Sequence, residues 1–270
     1  MHYIFSGATS FNQDISNWDV SKVETMSNMF SGATSFNQDI STWAVSNVLT
    51  MSNMFSGATS FNQDISNWKV NNVEVMSYMF KGATSFNQPI GNWNVSKVGR
   101  MFHMFAGAIS FNQDLNGWHA DIGPGVEGIF YGATSFNSPI GKWNVKSVTS
   151  MENMFREATA FNQDISGWDV SNVTEMKGLF QDASSFNQDL RNWKLNEKLP
   201  KSRTMFTGAK AFKIKEYSPF LNKETKKRKI DNSTANLSSE DKRTYSKIKK
   251  LLVSRDTDQI DLGVELAVSL

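Results

Sequence analysis

Apolar positions recur along this chain with a period of 25 residues, and the pattern is clearest in residues 15–39. At the start of that unit, Ile15, Trp18 and Val20 are separated by polar residues. Alternation of this kind is typical of a short strand that buries one face. Each unit is therefore predicted to open with a strand.

A second apolar pattern follows in the same unit and has the spacing of one helical stripe. Its members are Val23, Met26, Met29 and Phe30. Ser21 and Glu24 have the spacing of a capping box, which opens a helix. Gly32 stands where a glycine ends one. Each unit is predicted to contain a strand, a short helix and a return loop.

Aromatic residues mark the period, since the chain has eight Trp and 20 Phe. All eight Trp occupy one position of the unit: Trp18, Trp43, Trp68, Trp93, Trp118, Trp143, Trp168 and Trp193. Two further positions hold 18 of the Phe: Phe5, Phe11, Phe30, Phe36, Phe55, Phe61, Phe80, Phe86, Phe105, Phe111, Phe130, Phe136, Phe155, Phe161, Phe180, Phe186, Phe206 and Phe212. A single unit cannot bury its apolar face, so the units are expected to stack. The predicted fold is an α/β solenoid, a leucine-rich-repeat-like stack of about eight to nine coils.

The order of Ile15, Trp18 and Val20 matches the core of a leucine-rich repeat. The whole unit, Phe-Ser-Gly-Ala-Thr-Ser-Phe-Asn-Gln-Asp-Ile-Ser-Asn-Trp-Asp-Val-Ser-Lys-Val-x-x-Met-x-x-Met, resembles the repeat of BspA-like bacterial surface proteins. The resemblance extends from residue 1 to about residue 212. It implies a leucine-rich-repeat-type solenoid, surface exposure in bacteria, and adhesion or contact with host and matrix. It does not specify a ligand.

Three regions are predicted from the decay of this pattern. Residues 1–212 form the repeat solenoid, 213–238 a basic linker, and 239–270 the start of a helical segment that is cut short. Residues 213–256 carry 13 Lys and Arg against six Asp and Glu, so the chain's net charge of +2 arises there. The basic run at 226–229 admits a nuclear signal or a nucleic-acid patch, but a solvated linker is the preferred interpretation.

The N-terminal sequence and the lack of cysteine bear on localisation. Met1 aligns with Met26 of the next unit, so the chain is expected to be incomplete at this end. The first residues lack the charged and apolar regions of a signal peptide, and no apolar run reaches the roughly 18 residues of a membrane span. With no cysteine, disulfides and thiolate metal sites are excluded. The family resemblance implies a surface or secreted protein, and a cytoplasmic location is the alternative.

Asparagine, aspartate and threonine also recur with the same period. The asparagines are expected to point inward and bond the backbone of the next coil: Asn12, Asn37, Asn62, Asn87, Asn112, Asn137, Asn162 and Asn187. The aspartates suggest calcium, but Pro89 and Pro139 interrupt their ladder, and like charges about 5 Å apart repel by about 0.8 kcal/mol in water. They are expected to cap turns on an exposed edge, and the threonine hydroxyls to bond locally.

Catalytic chemistry is not indicated by any motif. His2, His103 and His119 lack the spacing of a metal pair, and neither a Gly-x-Ser-x-Gly elbow nor a phosphate loop occurs. We expect no enzymatic activity, no cofactor, no metal and no nucleic-acid partner.

Recognition is expected from positions that vary between units. The residues immediately before and after Trp form a polar row of mixed charge with few aromatics, which suits a modest contact with a protein or a glycan. This row comprises Asn17, Asp19, Thr42, Asn67, Lys69, Asn92, Asn94, His119, Lys142, Asn144, Asp169, Asn192 and Lys194. A merely soluble face is the alternative for any single residue, and an intracellular scaffold is the alternative function.

One unit departs from the pattern at residues 118–126. Gly-Pro-Gly replaces the predicted helix start there, which predicts a loop or a shortened helix. Val126 and Ile129 are expected to fill the positions that Met holds elsewhere, so that the stack continues through the break. The segment suits either a recognition loop or simple sequence drift.

Overall fold

The computed structural model describes residues 1–118, 125–199 and 204–221. The chain divides into two compact units, Met1–Pro219 and Phe220–Leu270. The repeats belong to the first unit. The basic run at 226–229 and the predicted helical segment at 239–270 lie outside the described residues, as do 119–124.

Successive 25-residue units, called coils below, lie on one another and are joined by backbone hydrogen bonds. Four alternate residues of one coil donate to carbonyls of the next, at 2.7 to 3.0 Å: Met26, Asn28, Phe30 and Gly32. One isolated parallel β-bridge per coil accompanies them: Thr25↔Thr50, Thr50↔Val75, Val75↔Arg100, Arg100↔Gly125, Gly125↔Ser150 and Ser150↔Glu175. These bonds hold every coil in the same register.

In the core, each side chain stacks on the side chain at the same position of the next coil. The first phenylalanine of each unit, from Phe5 to Phe206, forms one such ladder. Its ring centroids in successive coils lie 5.5 to 5.7 Å apart, and the rings are nearly parallel. From Phe30 to Phe180 this ladder is fully buried, and the Met, Ile, Val and Ala ladders beside it are buried as well. Offset stacking of this kind is a favourable aromatic arrangement, so the recurring aromatic residues are accounted for by the core.

The described coils do not contain the predicted strand. Ile15 and Val20 are buried as expected. However, the Trp18 N–H donates to the Ile15 carbonyl at 3.1 Å, which closes a turn. The Trp43 indole N–H of the next coil donates to the same Ile15 carbonyl at 3.2 Å. Local and side-chain bonds thus satisfy backbone groups that a strand would pair in a ladder.

The predicted helix is not present in the described coils either. The Met29 N–H donates to the Met26 carbonyl at 3.2 Å, and further turns of the same size follow. Asn28 (φ 58°) and Gly32 (φ 72°) are left-handed, which a right-handed helix does not allow. Consecutive turns therefore produce the three- and four-residue apolar spacing. The leucine-rich-repeat class of the solenoid stays a prediction.

The stack continues across the divergent unit, as predicted. The Met101 N–H donates to the Gly125 carbonyl at 2.7 Å, and the Phe105 and Phe130 rings stack 5.7 Å apart. Val126 and Ile129 are fully buried in the positions that Met occupies elsewhere.

Two short helices follow the last coil. The helix α1 spans Ile214–Tyr217, and a 3-10 helix spans Pro219–Leu221. The Leu190 N–H donates to the Tyr217 carbonyl at 2.9 Å, which ties the end of α1 to the stack. Within residues 1–118, 125–199 and 204–221, no helix is both long and apolar enough to cross a membrane.

Candidate interaction site

The asparagine ladder bonds the next coil, as predicted. The Asn37 N–H donates to Oδ1 of Asn12 at 2.9 Å, and the same bond recurs along the stack. At its end the Lys213 N–H donates to Oδ1 of Asn187 at 3.1 Å. The predicted inward location is wrong, because these side chains are exposed or half-buried. The Phe side chains occupy the interior instead.

A glutamine ladder reinforces the asparagines and was missed by sequence reasoning. Nε2 of Gln38 donates to the Asn12 carbonyl at 3.0 Å, and the bond recurs in later coils. Ser138 replaces glutamine in one coil and donates to the Asn112 carbonyl at 2.8 Å. The signal was present in the recurring Asn-Gln pair, since a second amide beside the first can bond the same backbone segment.

The aspartates cap turns on an exposed edge, as predicted. Oδ1 of Asp14 accepts a hydrogen bond from the Ser16 N–H at 2.9 Å, and Asp39 and Asp64 repeat the arrangement. Hydrogen bonds from the serine two residues further on lower the pKa of each of these carboxyl groups. No group of three or more His, Asp or Glu side chains with metal-binding geometry occurs in the described part of the chain.

The threonine hydroxyls bond locally between coils, as expected. Oγ1 of Thr34 donates to the Thr9 carbonyl at 3.1 Å, and Oγ1 of Thr59 to the Thr34 carbonyl at 3.3 Å. These hydroxyls are therefore engaged within the stack.

The predicted row lies at the surface throughout its described length. Twelve of its 13 residues belong to the described part of the chain, and all twelve are exposed. His119, the remaining one, lies outside the described residues. Solvent thus reaches the row from Asn17 to Lys194, while the Trp residues between its two positions are buried from Trp43 onward.

Five members of the row also have a structural role, and one of them, Thr42, donates from Oγ1 to the Ser16 carbonyl of the preceding coil at 3.3 Å. Asp19, Asn94, Asn144 and Asp169 each accept a hydrogen bond from the N–H two residues further on, at 3.0 to 3.2 Å. Hydrogen bonds from Ser21 and Ser171 lower the pKa of the Asp19 and Asp169 carboxyl groups. Lys69 occupies the equivalent position, and its exposed ammonium group is a donor that cannot accept such a bond.

A shallow depression of about 300 Å³ interrupts the row beside Trp93 and Trp118. Asn92, Asn94 and Ser96 contribute polar groups to its lining. Gly117 also lines it, and a side chain there would collide with the Gly91 carbonyl. Two glycines in neighbouring coils therefore let the backbones approach and leave this part of the row concave.

Equivalent residues stack and form the same hydrogen bonds from coil to coil, and this repetition defines the chain as a repeat protein. It belongs to the family described as Mycoplasma protein of unknown function, DUF285, whose pattern matches residues 1–75, 38–122 and 124–219. The last two matches are separated within the divergent segment 119–124. No curated protein matches the chain at a significant level.

Proposed function

We propose that the chain is a non-catalytic interaction module, a BspA-like solenoid that presents the row to a protein or a glycan at a cell surface. The supporting observation is the exposure of every described member of the row. The recurring aromatic, aliphatic, Asn and Gln side chains are buried or bonded between coils, and the recurring aspartates cap turns within their own coil. In a repeat protein the varied surface positions are those that discriminate between partners.

The chemistry of the row suits hydrogen bonding more than apolar contact. Its asparagines offer both donors and acceptors, and Lys69, Lys142 and Lys194 offer cations. The depression beside Trp93 and Trp118 gives a protruding side chain or a sugar a place to enter. Without exposed aromatic anchors the affinity is expected to be modest.

A triple alanine variant at Lys69, Asn94 and His119 tests the proposal. Alanine already occupies the equivalent position at Ala44, which is exposed in an intact coil. The wild-type chain and the variant are applied to immobilised extracellular-matrix proteins and to a printed panel of glycans. Binding by the wild type and its loss in the variant, with an unchanged circular-dichroism spectrum, is the expected result.

A matched control replaces Ser35, Ser60 and Ser85 with alanine. These serines are also exposed and also lie in three successive coils, but they are outside the row. The control is expected to bind as the wild type does. Equal binding by the triple variant and the wild type would overturn the proposal for the row.

Protease treatment of intact producing cells tests the proposed location. A surface protein is cleaved under these conditions. Full protection would contradict the surface assignment and favour an intracellular scaffold.

A further inference from the structure

Three half-buried rings form an aromatic cluster that shares no residue with the row. Tyr78 and His103 stack with ring centroids 5.4 Å apart and planes inclined by 11°. His103 and Tyr131 meet edge to face, at 6.4 Å and 81°. The three rings come from three successive coils and lie along one turn edge, the segment equivalent to Thr25–Ser31 in each coil. They make a continuous aromatic surface that solvent reaches.

Two of these rings are carried on a left-handed backbone. Tyr78 has φ 61° and His103 φ 51°, at the position that Asn28 and Asn53 hold in earlier coils. Asparagine and histidine are the residues enriched at left-handed φ, whereas a bulky side chain such as that of Tyr78 is an outlier there. Strain of this kind persists where the surrounding structure holds it, and it clusters at functional positions. The Tyr78 side chain is therefore not explained by the needs of the stack.

The next coil makes room for the cluster with glycine. A side chain added at Gly128 would collide with the imidazole of His103, and one at Gly125 would come within 2.9 Å of the Phe102 ring. Gly128 occupies the ladder position that Asn28 and Asn53 hold in earlier coils. The His103 ring therefore has its space in the next coil before any partner arrives.

Cations flank the rings on both sides. Nζ of Lys81 lies 5.6 Å from the Tyr78 ring centroid, and the Arg156 guanidinium 5.6 Å from that of Tyr131. Arg156 is 3.3 Å from the Glu157 carboxylate, whereas Lys81 forms no ion pair within the described part of the chain. Cation–π attraction holds the Lys81 ammonium at the surface with its charge uncompensated.

Groups around the His103 imidazole shift its pKa in opposite directions. Burial and the Lys81 ammonium lower its pKa, while Glu152 acts in the opposite direction. The ring is therefore mainly neutral at physiological pH, with one nitrogen that donates and one that accepts.

We propose that Tyr78, Lys81 and His103 form a binding site for an acidic side chain flanked by apolar residues in a protein partner. Lys81 pairs with the carboxylate, the Tyr78 hydroxyl donates to it, and the ring surfaces contact the apolar neighbours. Tyrosine is one of the residues that dominate protein interfaces.

The charges around the cluster favour a single carboxylate over a polyanion. Glu127, Glu152 and Glu157 lie in the two coils that follow Lys81 and Arg100. A nucleic acid or a sulfated glycan that spans these coils would bring its charges against those carboxylates. An isolated acidic side chain needs only the coil that carries Tyr78 and Lys81 and the ring of His103 in the next coil.

Two substitutions remove the site while restoring residues already used in the stack. Tyr78→Asn and Lys81→Ser copy Asn53 and Ser56 of the preceding coil. Short random peptides displayed on phage are selected on the wild-type chain, and one enriched peptide is synthesised. We expect Asp or Glu beside an apolar residue among the enriched sequences. The double variant should bind that peptide at least about tenfold more weakly, or ~1.4 kcal/mol, with an unchanged or higher Tm.

Two controls accompany the double variant. Ser56→Lys places a cation beside Asn53, a position where the next coil has a tyrosine. This variant should not raise the affinity for the peptide. Ser85→Ala changes an exposed side chain outside the row, in the coil that carries Tyr78 and Lys81, and should leave the affinity unchanged. Enrichment of peptides without acidic residues, equal affinity of the double variant, or displacement of the peptide by heparin would each overturn the proposal.

Discussion

The turn edge of the first coils and the turn edge around Tyr78 share one backbone but differ in chemistry. In the first coils hydroxyl groups bond one another, with Ser27 Oγ 3.2 Å from Thr50 Oγ1 and Thr50 Oγ1 3.3 Å from Ser52 Oγ. Val75 has no hydroxyl to continue this chain, and Oγ of Ser77 is buried without a partner in the described structure. The first edge satisfies its own polar groups, whereas the second presents rings and charges to solvent.

The difference shows that the stack tolerates either chemistry on this edge. The Asn28 N–H donates to the Ser52 carbonyl at 2.8 Å, and the Tyr78 N–H donates to the Phe102 carbonyl at the same distance. Since backbone bonds hold the coils together, side chains on the edge can change without altering the register. A recognition site can in this way be grafted onto a constant scaffold.

The largest expected effect tests whether the two regions share one core. Phe55→Ala and Phe105→Ala remove equivalent, fully buried rings from coils with different edges. Each should lower the free energy of unfolding by about 3–5 kcal/mol, measured by urea denaturation. Similar losses are expected, and a loss confined to one region would show that the cores are not equivalent.

The next effect concerns the asparagine ladder, which runs through both regions. Oδ1 of Asn62 accepts from the Asn87 N–H and from Nε2 of Gln88, both at 2.9 Å. Asn62→Ala should cost about 1–2 kcal/mol of unfolding free energy. Asn62→Asp keeps an acceptor and should cost less. Equal losses in urea denaturation would mean that these two bonds do not stabilise the stack.

A smaller change in the free energy of unfolding, of opposite sign, is expected when Tyr78 is replaced by the asparagine of the earlier turn edge. Tyr78→Asn relieves left-handed strain but loses one ring stack, so it should raise the free energy of unfolding by a few tenths to about 1 kcal/mol. Asn53→Tyr should lower it, because it places a bulky side chain on a left-handed backbone that asparagine adopts readily. Thermal unfolding measures both. Destabilisation by Tyr78→Asn would indicate that the ring supports the fold.

The smallest effect is the pH dependence of the aspartate caps, which both regions contain. The folded state lowers the pKa of Asp39 and Asp64 below the unfolded value. Their contribution to stability is therefore present above the unfolded pKa and is lost as the pH falls through the folded one. Asp39→Asn with Asp64→Asn should keep the turns and flatten the acid limb of a plot of Tm against pH. An unchanged acid limb would show that these caps are not coupled to folding.

Sequence reasoning predicted the features that depend on period and burial. The buried ladders, the asparagine bonds and the aspartate caps follow from the position of each residue within the unit. The secondary structure does not, because turns and a helix give Met26, Met29 and Phe30 the same spacing. Asn28 and Gly32 held the missing signal, since both residue types favour left-handed φ.

The predicted row was accessible to sequence reasoning, and the aromatic cluster was not. Positions beside a recurring Trp are easily compared from unit to unit. Tyr78 and Tyr131 occupy different positions of the unit, and the contact of each ring with His103 depends on how its side chain extends toward a neighbouring coil. The space above Gly128 likewise appears only once the coils are stacked.

The hydrogen bonds between coils also bear on the electrostatics of the stack. In the coil that begins with Met26, four backbone bonds run from N–H groups to carbonyls of the later coil, whereas the Asn37 N–H, Nε2 of Gln38 and the Trp43 indole N–H each donate to the coil before their own. Their dipoles oppose one another along the axis, unlike the aligned peptides of an α-helix. Bonds that run in opposite directions partly cancel, so each added coil contributes less to a macrodipole than the same number of aligned peptides would.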